Sequence, residues 1–197
     1  MGQAVYTPGM SEDLTQLPDE DLMVLVANGV IARPATELFR RHNRALFNFV
    51  AWLCQGNTAE AEDLTQKAWV KLMTRCADYS PQAAFRTFLF QIARNTWLDA
   101  RKSAFEQHKE TIDDAHLQLP SEELSPDAEL HLRQNLQSVH KALMGLPAAQ
   151  REVVALRFFS DMSLEEIAHT VGEGFETVKS RLRYAFVRLR RDLEAQV

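Results

Sequence analysis

Between Ser163 and Arg191 the chain combines a capped short helix, a glycine-bearing turn and a basic helix, a spacing suited to binding DNA. Ser163 and Glu166 stand ahead of Leu164, Ile167, Ala168 and Val171, the pattern of a capping box that opens a two-turn amphipathic helix. Gly172-Glu173-Gly174 supplies the turn, and from Phe175 a longer helix is expected to carry Val178, Leu182, Phe186, Leu189 and Leu193 inward. With those residues toward a core, a helical wheel places Glu176, Thr177, Ser180, Arg183 and Tyr184 on the opposite side. A helix fits the major groove of B-DNA, so these five are the candidates for base edges. Lys179, Arg181 and Arg188 fall on the flanks, where side chains meet phosphates and set register without reading sequence. An ordinary helical pair with a solvated charged face has the same local pattern, and the turn and capping box favour DNA over it.

Charge is distributed in keeping with that reading. The formal net charge is −5 over 197 residues, which evenly spread would oppose phosphate binding. Instead Glu106, Glu110, Asp113, Asp114, Glu122, Glu123, Asp127 and Glu129 face Lys109 alone, while Lys179, Arg181, Arg183, Arg188, Arg190 and Arg191 crowd the last helix. An acidic connector and a basic binding end follow. A hydrophobic share of 46% allows a true core, and no apolar run approaches the roughly 18 residues of a membrane span. Met1 to Gln16 has neither the basic flank nor the apolar stretch of a signal peptide, so a cytoplasmic location is expected. Cys54 and Cys76 have no metal-ligand spacing and are expected as buried structural thiols; no metal or cofactor is called for.

The elements that must position these residues are helices throughout, since apolar residues recur at three- and four-residue steps from Asp19 onward. Leu22, Leu25 and Val26 mark a short helix, and Leu38, Ala45, Phe49 and Trp52 a longer one. Asn57 or Thr58 caps a third, with Ala61, Leu64, Ala68 and Leu72 inward and Glu62, Asp63, Gln66 and Lys71 outward. Tyr79-Ser80-Pro81 lies in a loop, after which Phe85, Phe88, Leu89, Ile92 and Thr96 line a fourth helix ending near Ser103. Ser125-Pro126 opens a helix with Leu132, Leu136, Val139, Leu143 and Leu146 inward, and Pro147 separates it from one running to about Phe159. The fold class is therefore all-α: a polar tail at 1–17, a helical domain at 18–104, an acidic flexible linker at 105–125 and a second helical domain at 126–197.

Leu146-Pro147-Ala148-Ala149-Gln150-Arg151-Glu152-Val153-Val154-Ala155-Leu156-Arg157, followed by Ser163 to Ala168 and Thr177 to Leu182, resembles region four of the sigma-70 family in its compact extracytoplasmic-function branch. In the first half, Ala61-Glu62-Asp63-Leu64-Thr65-Gln66 resembles the polymerase-binding helix of region two, and Phe85 to Asn95 resembles the promoter-melting helix. The resemblance implies an RNA polymerase sigma factor that directs promoter-specific initiation. Glu62, Asp63, Gln66 and Lys67 would dock on the β′ clamp, Lys67 standing where the family usually has Glu. Region four would meet the β flap. Tyr79 aligns where the family stacks a flipped minus-ten base, with Gln91, Arg94 and Asn95 beside it for the melted strand. Such stacking contributes about 1 to 3 kcal/mol per base. A half-buried loop anchor is the other reading of Tyr79, and a solvated face the other reading of the third helix. Gly174 and Glu176 replace a common Pro and Gly at the start of the minus-thirty-five helix. The linker resembles the segment that threads the RNA exit path, although a solvated tether has the same composition. The branch further implies control by an anti-sigma protein, often membrane-anchored.

Two other classes stay open at this level. A helix-turn-helix regulator would bind DNA without polymerase, leaving Phe85 to Asn95 unexplained. An enzyme would need localised chemistry, yet His42, His108, His116, His131, His140 and His169 are scattered and expected at the surface, with no phosphate loop or nucleophile elbow.

Overall fold

Helix boundaries fall where the sequence places its caps and breakers. The computed structural model describes residues 13–80, 84–106 and 138–195, and no strand occurs among them. The helices are α1 (Asp19–Ala27), α2 (Ala32–Leu53), α3 (Thr58–Thr74), α4 (Phe85–Glu106), α5 (described over 138–144), α6 (Ala148–Phe159), α7 (Leu164–Val171) and α8 (Phe175–Glu194). Asn57 caps α3 by accepting from the Glu60 amide at 3.1 Å. At α7 the capping box forms in full: Ser163 Oγ accepts from the Glu166 amide at 3.1 Å and Glu166 Oε2 from the Ser163 amide at 2.8 Å. Gly172 ends that helix at φ +72°, a left-handed conformation that a Cβ would strain.

α1 to α4 close around Leu22, Leu46, Phe49, Leu64, Leu89 and Phe90, with the Phe49 and Phe90 rings 5.3 Å apart. α5 to α8 pack Leu146, Leu156, Ile167, Val178 and Ala185 between them. The two units are joined by a common seam, because α6 lies against α2 and α7 against α4. In that seam Trp52 Nε1 donates to the Arg151 carbonyl at 3.2 Å, and the indole meets Phe159 edge-on at 5.7 Å.

Several expectations are corrected. α4 runs to Glu106, past Ser103, taking the first residues assigned to the linker. The remainder of that linker and the helix start at Ser125-Pro126, with Leu132 and Leu136, lie outside the described residues, as do 1–12 of the tail. The end of the tail is built in: Leu14–Gln16 forms a 3-10 turn, Leu14 and Leu17 pack on the core, and Arg41 binds the Leu14, Thr15 and Leu17 carbonyls at 2.8–3.0 Å. Val139 is 39% exposed; Ala142, one turn before Leu146, takes the inward place. Phe186 is 44% exposed, and Ala185 is buried instead. Placing Ala185 there lets α6 approach α8 more closely than a phenylalanine would. His42 is buried, with Nε2 2.6 Å from Asp19 Oδ2, because the polar stripe of α2 faces the N-terminal turn rather than solvent. Cys54 is a buried thiol pushed up to about 12 by burial, whereas Cys76 is half-buried.

Candidate nucleic-acid interface

α8 is held on one side only. Val178 and Ala185 are buried and Leu182 and Leu189 half-buried, so the opposite face is set by the 3.6-residue period. Glu176, Thr177, Arg183 and Tyr184 are exposed there, and Ser180 is half-buried between them. The Arg183 guanidinium lies 4.9 Å from the Tyr184 ring centroid and donates to its hydroxyl at 3.2 Å, pre-positioning two groups able to meet base edges. On the flanks, Lys179 and Arg188 are exposed, with partners Glu176 at 3.3 Å and Asp192 at 3.7 Å. Arg181 is less free, its guanidinium bonded to Glu173 of the turn at 2.7 Å. Exposed pairs of this kind contribute about 0 to 1 kcal/mol, so a phosphate can displace the carboxylate.

α3 presents the second candidate surface. Its inward stripe of Ala61, Leu64, Ala68 and Leu72 is buried, and Glu62, Asp63, Gln66 and Lys67 are exposed on the far side. Asp63 and Lys67 pair at 2.6 Å one turn apart. Sequence reading missed the apolar part of this surface. Val70, in the same row, is 63% exposed and borders a groove of about 440 Å³ lined by Ala35, Phe39, Trp69 and Met73. The Phe39 and Trp69 rings stand 5.2 Å apart and form its wall, a signal available in advance only as an unpartnered Phe on the polar side of α2.

α4 departs most from expectation. Asn95 is exposed and Gln91 half-buried on its outer face. Tyr79 is only 8% exposed, its ring 5.4 Å from Phe88 and 6.4 Å from Phe85. Burial, reinforced by Glu20, Asp19 and Asp21, pushes its hydroxyl up to about 12. In this arrangement it anchors the loop and offers no face to a base. Phe85 is fully buried, and its amide, at the start of α4, donates to Glu20 Oε1 at 3.0 Å, a cap supplied from α1 that no local pattern indicates. Arg94 is drawn inward: its Nε lies 2.6 Å from Glu152 Oε1 on α6, and its side chain is 19% exposed. Arg86 Nη1 donates to the Ser160 carbonyl at 2.9 Å. Neither contact could be foreseen, since the partners stand 58 and 74 residues away.

Comparison with known proteins divides the chain at the same two units. The family model for Sigma-70 region 2 matches residues 38–105, and that for Sigma-70, region 4 matches 142–191. The chain is 31% identical to the ECF RNA polymerase sigma factor SigM of Mycobacterium tuberculosis (strain ATCC 25618 / H37Rv), over 79% of this chain and 74% of that protein. It is 29% identical to the ECF RNA polymerase sigma factor SigE of Mycolicibacterium smegmatis over 78% of its own length, which spans 59% of that relative. Among solved structures, the sigma factor RpoE of Bartonella quintana in complex with the anti-sigma factor NepR has a TM-score of 0.67 at 28% identity, covering 83% of this chain and 98% of that one. With Sigma-70 region 2 matched in the first unit and Sigma-70, region 4 in the second, where a helix-turn-helix exposes a basic face, the chain belongs to the extracytoplasmic-function branch of the sigma-70 family.

Proposed function

We propose that this protein brings core RNA polymerase to promoters and helps open them, with residues 18–104 and 126–197 acting as separate DNA-gripping domains. The observation that carries the reading is one chain with two unlike open surfaces: the outward face of α8, and the row Glu62, Asp63, Gln66, Lys67 and Val70 on α3. The first suits the minus-thirty-five duplex, with Glu176, Thr177, Ser180, Arg183 and Tyr184 toward base edges and Lys179, Arg181 and Arg188 toward phosphates. The second, a polar row beside an apolar groove, suits a helical clamp segment of β′. Exposed Phe158, Phe186 and Val187 supply an apolar patch for the β flap.

Gln91, Arg94 and Asn95 hold the melted minus-ten strand, and Tyr79 joins them only if its loop leaves the core. An anti-sigma protein is the proposed inhibitor, by analogy with the Bartonella complex. No described helix is long and apolar enough to cross a membrane, and the proposed site of action is the cytoplasm, where polymerase works. The deciding experiment is transcription in vitro: purified protein added to core polymerase should give promoter-specific transcripts, where a plain DNA-binding regulator gives none. Asn95→Ala should leave closed-complex binding intact and reduce strand opening in permanganate footprints; normal opening removes Asn95 from the strand-holding set.

A further inference from the structure

The outward row of α8 carries opposite charges at its two ends. Glu176, the second residue of the helix, puts a carboxylate there, with 78% of its side chain exposed. Only Lys179 holds it among the described residues: Nζ lies 3.3 Å from one carboxylate oxygen and 3.5 Å from the other. An exposed pair of this kind is weak, and a nearby phosphate can take the ammonium from it. Seven residues on, the Arg183 guanidinium sits 4.9 Å from the Tyr184 ring centroid and donates to its hydroxyl through Nη2, which leaves its other donors unused among the described residues. A carboxylate gains nothing from phosphate, and in the major groove it can accept only from the amino groups of cytosine and adenine. Adenine sets its N7 acceptor beside that amino group, against the second carboxylate oxygen, so cytosine is the better match. A guanidinium has donors alone, and it fits the paired O6 and N7 acceptors of guanine.

Resting on the reading of α8 as the minus-thirty-five helix, we propose that Glu176 selects a cytosine by accepting from its N4 amino group and that Arg183 selects a guanine about three base pairs away. The separation follows from two rises. Seven residues of helix at about 1.5 Å each span about 10 Å, and stacked base pairs rise about 3.4 Å. Lys179 changes partner on binding, leaving Glu176 for a phosphate at the edge of the groove, so the contact that docks the helix also frees the carboxylate for the base. A first-turn carboxylate also favours the positive end of the helix dipole, but that effect is the same on every duplex. Sequence preference therefore separates the two roles of Glu176.

The test uses core polymerase reconstituted with the full chain and fragmented genomic DNA of the source organism, whose transcripts locate the promoters. In one such promoter each base pair of the upstream duplex element is changed to the other three, and transcript yield is read by barcoded sequencing. Wild type is compared with Glu176→Ala, Glu176→Gln and Arg183→Ala, all at exposed positions that leave the core intact. Wild-type protein should prefer a C·G pair about tenfold at one position, and Glu176→Ala should erase that preference alone. Glu176→Gln, which can donate as well as accept, should move the preference to adenine on the strand that carried the cytosine. Arg183→Ala should erase a second G·C preference about three base pairs away. A Glu176→Ala profile equal to wild type at every position overturns the proposal, as does one that loses its preference at an A·T pair instead. Absence of any wild-type transcript removes the sigma-factor reading and the proposal with it, whereas transcripts with an unaltered Glu176→Ala profile remove only the base assignment.

Discussion

α4 and α8 are both long basic helices, 22 and 20 residues, and the fold treats them oppositely. α4 is enclosed by α1, α2, α3 and α7, with Phe85, Leu89, Phe90 and Ile92 buried along it. α8 rests on α6 and α7 and leaves Phe175, Glu176, Thr177, Tyr184 and Val187 exposed. Their charges differ in the same way. Arg86 and Arg94 of α4 are bonded across the seam to distant residues, while Lys179, Arg188 and Arg190 of α8 pair only with carboxylates three or four positions away. A helix that enters duplex DNA from outside needs one free face and loosely held cations. On the proposed function α4 would steady an unpaired strand while scaffolding its domain, so its polar groups are contested by the protein itself.

Substitution in the two helices should expose that asymmetry most strongly through stability. Leu89→Ala on α4 should cost about 2 to 5 kcal/mol, because a fully buried leucine leaves a cavity that its neighbours fill only partly. Val187→Ala on α8 should change stability by less than about 0.5 kcal/mol. Urea midpoints for the two variants check this, and equal costs would erase the difference between the helices. Next in size, Ser180 and Tyr184 changed together to Ala should lower discrimination among minus-thirty-five sequences by about 1 to 3 kcal/mol, measured by competition between duplexes. Undiminished selectivity would mean that the open face of α8 serves something other than base reading.

Ser163→Ala should cost about 1 kcal/mol, by removing one half of the capping box that orients α7 ahead of α8. Rescue by Asp at the same position distinguishes a lost cap from a repacked turn. Smallest is an acid effect confined to the first unit. Hydrogen bonds from Arg40 and Arg41 hold the Glu37 carboxyl at about 2, below its ordinary 4.5. A carboxyl with a lowered folded pKa contributes stability above its unfolded value and loses it as pH falls through the folded one. Glu37→Gln should therefore flatten the decline in stability between about pH 4.5 and pH 2. The same decline in both proteins would show that Arg41 is held by Asp19 and the N-terminal carbonyls without Glu37.

The capped helices were legible in advance because caps and breakers act within four residues. Asn57, Ser163 with Glu166, Pro147 and Gly172 each end or begin an element where local pattern puts them. The outward row of α3 was legible for a related reason, since its inward small and apolar residues leave only one face for Glu62, Asp63, Gln66 and Lys67. Reading failed where two partners of unknown register compete for a face. Phe186 and Val139 looked inward because they are apolar, but Ala185, packed with Val154 of α6, and Ala142 are the buried residues. For Tyr79 the resemblance left a base platform and a half-buried loop anchor both open, and only the packing of its ring against Phe85 and Phe88 shows it buried.

Composition and periodicity by themselves determined the all-helical class, the order of the elements and the outward face of α8, while the resemblance carried by Leu146 to Arg157 and Phe85 to Asn95 pointed to the family. These are consequences of interactions that act along one helix or one turn, and such interactions are written in neighbouring residues. Only the tertiary structure decided that Glu20 caps α4, that His42 ties the start of α1 and Arg41 the N-terminal turn to α2, and that Arg94 meets Glu152. Each of these joins groups far apart in the chain, and their meeting depends on how whole helices pack, which no local spacing encodes.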